Sequence, residues 1–452
     1  MKAITQYLKG LGYDCVEDDF YSQIDLWQKW YRGYVPSFHD YRQYNGRKKI
    51  RRTRKSLGMA KTVAEDWANL ALNEKVGIAL KKKSAEKRVW SVLDANQFRV
   101  RGNQLLEQAF ALGTGAFVER KEGDEVKIDY IRAGMVYPLA WDNGRITQCA
   151  FGSERTAKQE KHVYLNIHTL ERGRYVIENH LFRRNGTALA EIALPDDVKE
   201  RVETKSPTPL FQIIRPNIAN NFAPDCPLGI SVYANALDQL EGLDLVYDSY
   251  CNEFRLGKKR ITVPVTMARM AMEEDGSVTP VFDDNDTEFY AIPSVDQGEN
   301  KIEEHNMELR YEAHEAGVQT ALNLLSFKCG MGRDRYNFKD GEVKTATEVV
   351  SEKSDLFQSL KKHELLLEGA LIGMTQAVAE LLGLGEQEVT VNFDDSIIED
   401  TGAEKLRFLQ EIRDGVRQKW EYRVRFFGED EATAKSMVVQ DEPEEDLFGG
   451  RG

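Results

Sequence analysis

The chain has 452 residues, 41% of them hydrophobic, and a formal net charge of −13 at pH 7. That length allows roughly two to four domains with sizeable cores, and the acidic balance excludes a nonspecific DNA clamp, which must neutralise phosphates with Lys and Arg. The five cysteines lie far apart without Cys-x-x-Cys spacing, so zinc-knuckle and redox motifs are excluded, and no apolar stretch of about 18 residues offers a membrane span.

Met1 to Tyr7 lack the apolar core of a signal peptide, so the expected place of synthesis and use is a cytoplasm. Two amphipathic helices follow. Phe20, Ile24, Trp27, Trp30 and Tyr31 mark one, and Met59, Val63, Trp67, Leu70 and Ala71 the other. Between them Arg47, Lys48, Lys49, Arg51, Arg52, Arg54 and Lys55 make seven basic residues in nine. This patch suits nucleic-acid contact or charge pairing with an acidic neighbour or subunit, and the lack of an adjoining aromatic platform favours pairing.

Gly113-Thr114-Gly115 is a weak nucleotide-binding signal, because a phosphate cradle needs a helix N-terminus directly after the glycines. Ala116 to Glu119 instead continue as a strand, with a turn at Glu122-Gly123-Asp124 and a second strand from Val126 to Ile131. A tight turn feeding a meander is the better account, and no Gly-Lys-[Ser/Thr] follows any glycine run. Alternation at Val163, Leu165 and Ile167, and at Tyr175 and Ile177, predicts further antiparallel strands between Ile146 and Arg184.

Tyr233, Leu237, Leu240, Leu243, Tyr247, Tyr250 and Phe254 recur at steps of three and four. With Pro227 ahead and Gly257 behind, this stripe predicts a helix from Leu228 to Leu256, about 43 Å long at ~1.5 Å per residue. Asp238, Glu241, Asp244 and Asp248 form an acidic stripe on another face, which reads as a solvated face or a functional one. Lys258 to Asn300 change character. Arg260 to Thr266, containing Pro264, suit an edge strand; Val278 to Phe282 and Glu288 to Ile292 are two more short strands, separated by the turn-forming Asp283-Asp284-Asn285-Asp286.

Helical period returns after Ile302 through Leu309, Ala313, Val318, Ala321, Leu322 and Leu325. Glycines at 330, 332 and 341 then open a loop holding Lys328, Arg333, Arg335, Lys339 and Lys344. Thr345 and Glu348 have capping-box spacing, and the helix they start runs past Leu356, Leu360, Leu367, Leu371 and Met374 to Leu382, with Gly383 and Gly385 to end it. Lys405 to Arg425 is predicted helical, and the like-charge run Asp441 to Asp446 disordered. His305 and His314, nine apart on one predicted helix, are too far apart for a same-face metal pair. Two long helices carrying a small strand-rich knob need neighbours on their flanks, which points to a ring or bundle of copies rather than a pocket.

Ordered along the chain, these features resemble the portal proteins of tailed bacteriophages, in the siphophage branch of Gram-positive hosts. The resemblance rests on Thr345-Ala346-Thr347-Glu348-Val349-Val350-Ser351-Glu352, and on Arg310 and His314 leading to Leu322-Asn323-Leu324-Leu325-Ser326 and Gly330. Arg215-Pro216-Asn217 through Pro227-Leu228-Gly229-Ile230-Ser231 adds to it. So do Ala111 to Phe117 upstream, and Gly415-Val416, Lys419-Trp420 and Phe427 to Ala432 near the end. It implies an α+β subunit with long stem and wing helices, an antiparallel β-rich wing and a small α/β clip.

In that frame residues 1–227 are wing, 228–257 the first stem helix, 258–300 the clip and 301–326 the second stem helix. Residues 327–344 become the tunnel loop, 345–398 the long wing helix and following strand, and 399–452 a short crown with an acidic tail. The resemblance implies a non-enzymatic ring, a dodecamer, at one capsid vertex of the virion, without cofactor or metal. Implied partners are the terminase large subunit, a head-completion or adaptor protein, the major capsid and scaffolding proteins, and double-stranded DNA passing without sequence recognition; no membrane is involved.

Lys328, Arg333, Arg335 and Lys339 would then touch the DNA backbone. Asp238, Glu241, Asp244 and Asp248 would face the channel and keep DNA mobile, a role the net acidity also suits. The alternatives are a minor head or interaction protein of the phage particle and, from a different class, a nuclease. Against the nuclease stands the absence of a clustered Asp/Glu/His metal motif.

Overall fold

A computed structural model describes residues 2–44, 48–157, 160–186, 188–264, 269–272, 278–281, 289–292, 301–337, 346–393 and 401–438. The chain is α+β and divides into two units. The larger holds Met1–Val343 and Gln358–Phe393; the smaller holds Lys344–Phe357 and Asp394–Gly452.

The larger unit opens with α1 (Lys2–Gly10), α2 (Asp18–Tyr31) and the short α3 (Pro36–His39), followed by a two-stranded ribbon, β1 (Asp40–Tyr44) and β2 (Lys49–Thr53). Next come α4 (Met59–Ala71), β3 (Gly77–Leu80), α5 (Lys83–Ala95) and α6 (Phe98–Leu112). The apolar stripes of α2 and α4 lie where their period placed them: Phe20, Ile24, Trp27 and Trp30 are buried, as are Met59, Val63, Trp67, Leu70 and Ala71. The ribbon was not foreseen. β1 reads Asp-Tyr-Arg-Gln-Tyr and β2 Lys-Ile-Arg-Arg-Thr, with Ile50 the one aliphatic residue, so no apolar period announced it.

Gly113 ends α6 with φ +86° and feeds the first strand, so the glycine pair is a turn between helix and meander. β4 (Gly115–Glu122) and β5 (Glu125–Arg132) follow, then β6 (Val136–Asp142), β7 (Arg145–Ala157), β8 (Glu160–Glu171), β9 (Arg174–Asn185), β10 (Ala188–Ile192), β11 (Arg201–Glu203) and β12 (Phe211–Ile214). Among the described residues β6 to β9 form an antiparallel meander, with β10 and β11 both pairing to the outer edge of β9. β12, β4 and β5 make a second antiparallel sheet with β4 central. Val163, Leu165 and Ile167 are fully buried on one face of β8, as their alternation requires.

The helix predicted from Leu228 begins nine residues later. A 3₁₀ turn at Ala234–Ala236 leads into α7 (Leu237–Leu256), 20 residues and about 30 Å long. The preceding segment is held by other elements. Gly229 N–H donates to Thr114 Oγ1 at 3.0 Å, and Val232 N–H to the Phe110 carbonyl at 2.9 Å. The two chains cross so closely that a Cβ on Gly229 would lie 2.3 Å from the Gly113 carbonyl oxygen.

In the insertion, β13 (Arg260–Pro264) is followed by β14 (Arg269–Met272), β15 (Val278–Val281), β16 (Phe289–Ile292) and β17 (Glu303–His305). β13 is central rather than edge, with β16 parallel on one side and β17 antiparallel on the other. Pro264 is tolerated there because it is the last residue of the strand, opposite Ile292. β14 pairs with β15, and the turn residues 283–286 lie outside the described residues.

The second long helix is also shorter than its period suggested. Residues 303–305 are strand, so His305 is not helical, and α8 runs Tyr311–Lys328. α9 (Ala346–Leu381) extends for 36 residues and stops as expected, with Gly383 and Gly385 both at φ +69°. Thr345 of the predicted capping box lies outside the described residues. β18 (Val389–Asn392) returns to pair with β3.

In the smaller unit, α10 (Thr401–Arg413) and α11 (Lys419–Phe427) replace the single helix predicted over 405–425, and α12 (Glu431–Val438) follows. Gly415, at φ +75°, ends α10, and Gln418 with Glu421 caps α11. Phe408, Tyr422 and Phe426 cluster between α10 and α11, and the Arg417 guanidinium lies 4.3 Å from the Phe408 ring centre. The tail at 441–446 lies outside the described residues.

Candidate functional site

α7 and α8 pack antiparallel. Glu253, in the last turn of α7, accepts from the Arg310 backbone N–H at 3.1 Å and from its guanidinium at 3.0 and 2.7 Å. His314 Nε2 lies 3.4 Å from the same carboxylate. The Arg310 hydrogen bonds hold the Glu253 carboxyl down to a pKa of about 2. Further along, Gly317 lets α8 approach α7, since a Cβ there would sit 3.3 Å from Val246.

This pair leaves large apolar side chains uncovered. Leu245 and Phe254 on α7, and Tyr311, Leu324 and Phe327 on α8, are each 45–60% exposed. Five such residues on two helices are more apolar surface than the pair covers by itself, and another chain can cover it.

The acidic stripe on α7 splits in two. Asp238 and Glu241 are exposed. Asp244 and Asp248 are buried, which corrects the expectation that all four present a common face. Asp244 Oδ1 accepts from the Leu57 N–H at 2.8 Å, and Oδ2 lies 3.2 Å from His39 Nε2. Because Val35 N–H donates to His39 Nδ1 at 2.9 Å, Nε2 carries the proton toward Asp244. Asp248 accepts from the Lys55 N–H and from Asn252 Nδ2, each at 3.0 Å. The two carboxylates thus hold the root of the β1–β2 ribbon on α7, through His39 before β1 and Lys55 and Leu57 after β2. Sequence gave no sign of this, because the partners lie about two hundred positions apart.

The basic patch is that ribbon. Lys49, Arg51 and Arg52 are on β2, and Arg54 and Lys55 just beyond it; Arg47 lies outside the described residues. Arg51 pairs with Asp40 across the ribbon, the intrachain form of the charge pairing expected. Arg54 has an aromatic platform after all: its guanidinium stands 4.7 Å from the Phe38 ring centre and 4.6 Å from that of Tyr41, and donates to the Phe38 carbonyl.

Of the candidate loop, Lys328 ends α8 and is exposed, as are Arg333 and Arg335; Lys339 lies outside the described residues. The first part of the loop is anchored on α4. Trp67 Nε1 donates to the Cys329 carbonyl at 3.1 Å, and Arg335 Nε lies 3.4 Å from Asp66 Oδ2. Gly330 (φ +78°) packs over the Trp67 ring.

The five cysteines are free, and among the described residues no three His, Cys, Asp or Glu side chains converge on a metal-sized site. No described helix is long and apolar enough to cross a membrane. Sequence reasoning also passed over Glu119 on β4, wholly buried, with neither carboxylate oxygen hydrogen-bonded among the described residues; burial pushes its pKa well up.

No individually curated protein matches the chain significantly. A protein-family model described as "Phage portal protein, SPP1 Gp6-like" matches residues 15–420. That span takes in α2 to α10 with the strands between them, and the chain belongs to the SPP1 Gp6-like family of phage portal proteins.

Proposed function

We propose that copies of this chain close into a ring, a dodecamer by family, at one vertex of the capsid. The genome would enter and leave through its central channel. The observation that carries the ring is the uncovered apolar surface of α7 and α8, which neighbouring copies can bury and which a monomer would leave in water. Residues 1–227 and 345–398 are assigned to the wing, 228–257 and 301–326 to the stem segments, 258–300 to the clip, and 399–452 to the crown and tail.

In this reading the clip docks first the terminase large subunit and later a head-completion protein, while the wing meets capsid and scaffolding proteins. Asp238 and Glu241 are the remaining candidates for an acidic channel face; Lys328, Arg333, Arg335 and Lys339 are candidates for contact with the DNA backbone. The protein acts by shape and charge and has no catalytic role. Negative-stain microscopy of the purified protein, with its mass in solution, tests the proposal. Closed rings with a DNA-wide hole are expected. A strictly monomeric protein across a wide concentration range, and no ring on coexpression with capsid proteins, would count decisively against it.

A further inference from the structure

The β1–β2 ribbon has no buried residue on either strand, yet an isolated two-stranded ribbon is marginal in water. Its root is rigid, held by Asp244 and Asp248, and its five-residue strands reach about 17 Å at ~3.4 Å per residue. Tyr44, at the end of β1, is 63% exposed. From Asp40 to Lys55 the sequence has eight basic residues and one acidic, in a chain of net charge −13. Such an arm fits an acidic surface with an aromatic seat.

The same chain carries that surface elsewhere. A cleft of about 520 Å³ lies between the start of α2, the end of β6 and the loop at 222–226. Phe20, Trp141 and Phe222 give it an aromatic lining; Glu17, Asp19 and Asp225 give it three carboxylates and no basic residue. Phe222 is 41% exposed, its ring edge resting on Trp27. The volume is ample for a tyrosine ring, and the acids stand where flanking Arg and Lys would be neutralised.

We infer that the β1–β2 arm of one copy docks into the acidic aromatic cleft of the next, with Tyr44 seated among Phe20, Trp141 and Phe222. Arm and cleft are different patches on one chain, so the contact is heterologous and repeats around a closed ring. It deepens the ring reading and rests on it. The contact is separate from the α7–α8 surface: one is charged, the other apolar.

The test uses the full chain with Gln43→Cys, which is exposed and keeps Tyr44 in place, since Cys15 and Cys226 line the cleft. A short bis-maleimide should link subunits into a ladder on a denaturing gel. The ladder should vanish when Cys15→Ser and Cys226→Ser are added. Separately, Lys48→Glu with Lys49→Glu should raise the concentration for half-assembly by about tenfold or more, the scale of a close interfacial charge pair lost. Glu17→Lys with Asp225→Lys in the same chain should restore it.

Rings that form without any ladder, or that assemble unchanged with the reversed arm, overturn the arm proposal and leave the ring standing. Loss of binding to a short DNA duplex by the reversed arm, with assembly unchanged, reassigns the arm to nucleic acid and also overturns it. A wild-type chain that never forms rings removes both readings.

Discussion

Glu119 and His363 are two buried ionisable side chains kept neutral for opposite reasons of charge. Glu119 is fully buried with no hydrogen bond to either oxygen among the described residues, and its folded pKa is raised by desolvation. A carboxyl raised in this way favours folding only while it is protonated in both states. As pH rises past the ordinary value of 4.5, the unfolded chain ionises first and stability falls. Glu119→Gln is therefore expected to raise Tm at pH 7.5 and to leave it nearly unchanged at pH 4, which calorimetry at the two values would check.

His363 is edge-on to Trp67 and Phe110, and its Nδ1 accepts the Asn217 N–H at 3.0 Å. Burial lowers its pKa to about 4. Between the ordinary 6.5 and about 4, the unfolded state binds the extra proton, so stability falls with acid by up to about 1.4 kcal/mol per pH unit. His363→Gln, which keeps an acceptor, should flatten that part of the stability-against-pH curve in urea denaturation.

At the scale of elements, the ribbon clamp and the anchored loop carry the sharpest expectations. Removing the Asp244 carboxylate leaves the half-buried Leu57 N–H and the buried His39 Nε2–H without their acceptor. Asp244→Ala should cost about 2–4 kcal/mol by chemical denaturation. Amide exchange should rise first in residues 48–57, because the ribbon's root is what the carboxylate holds. The loop after α8 combines a fixed start on Trp67 with exposed charge at Lys328 and Arg333. Neutralising Lys328, Arg333, Arg335 and Lys339 together should permit rings and procapsids but reduce the full-length genome held per particle. Equal DNA content and equal retention under osmotic stress would make the loop a connector only.

Helix existence was legible at this scale wherever an apolar stripe was long, as in α2, α4 and α9. Helix starts were less so. The stripe beginning at Tyr233 continues the period of α7, but Gly229 and Val232 spend their N–H groups on Thr114 and Phe110, so the helix waits until Leu237. Period reports which side chains are apolar and not which backbone donors are already engaged.

For the whole molecule, the decisive measurement is assembly. Leu324 and Phe327 lie on the uncovered side of α8 at 56% and 60% exposure, while Leu322 and Leu325 are fully buried in the same helix. Leu324→Glu with Phe327→Glu should leave the subunit folded and shift it from ring to monomer, read by light scattering beside an unchanged circular-dichroism spectrum. Burying two such side chains contributes about 1.5–3 kcal/mol each, repeated at every contact of a ring. A double variant that forms rings as readily as the parent would move the interface elsewhere.

What the sequence determined by itself is what local pattern encodes. The α+β class, the meander, the long helices flanking a small strand-rich insertion, and the ordered set of motifs that places the chain among phage portal proteins were all present in residue order and spacing. What the tertiary structure alone decided is which charges meet. Asp238, Glu241, Asp244 and Asp248 look alike at helical spacing, yet two are exposed and two are buried against His39, Lys55 and Leu57, at the root of the ribbon. A carboxylate's environment depends on which distant backbone donors fold over it, and a distance of two hundred positions leaves no trace in a local period.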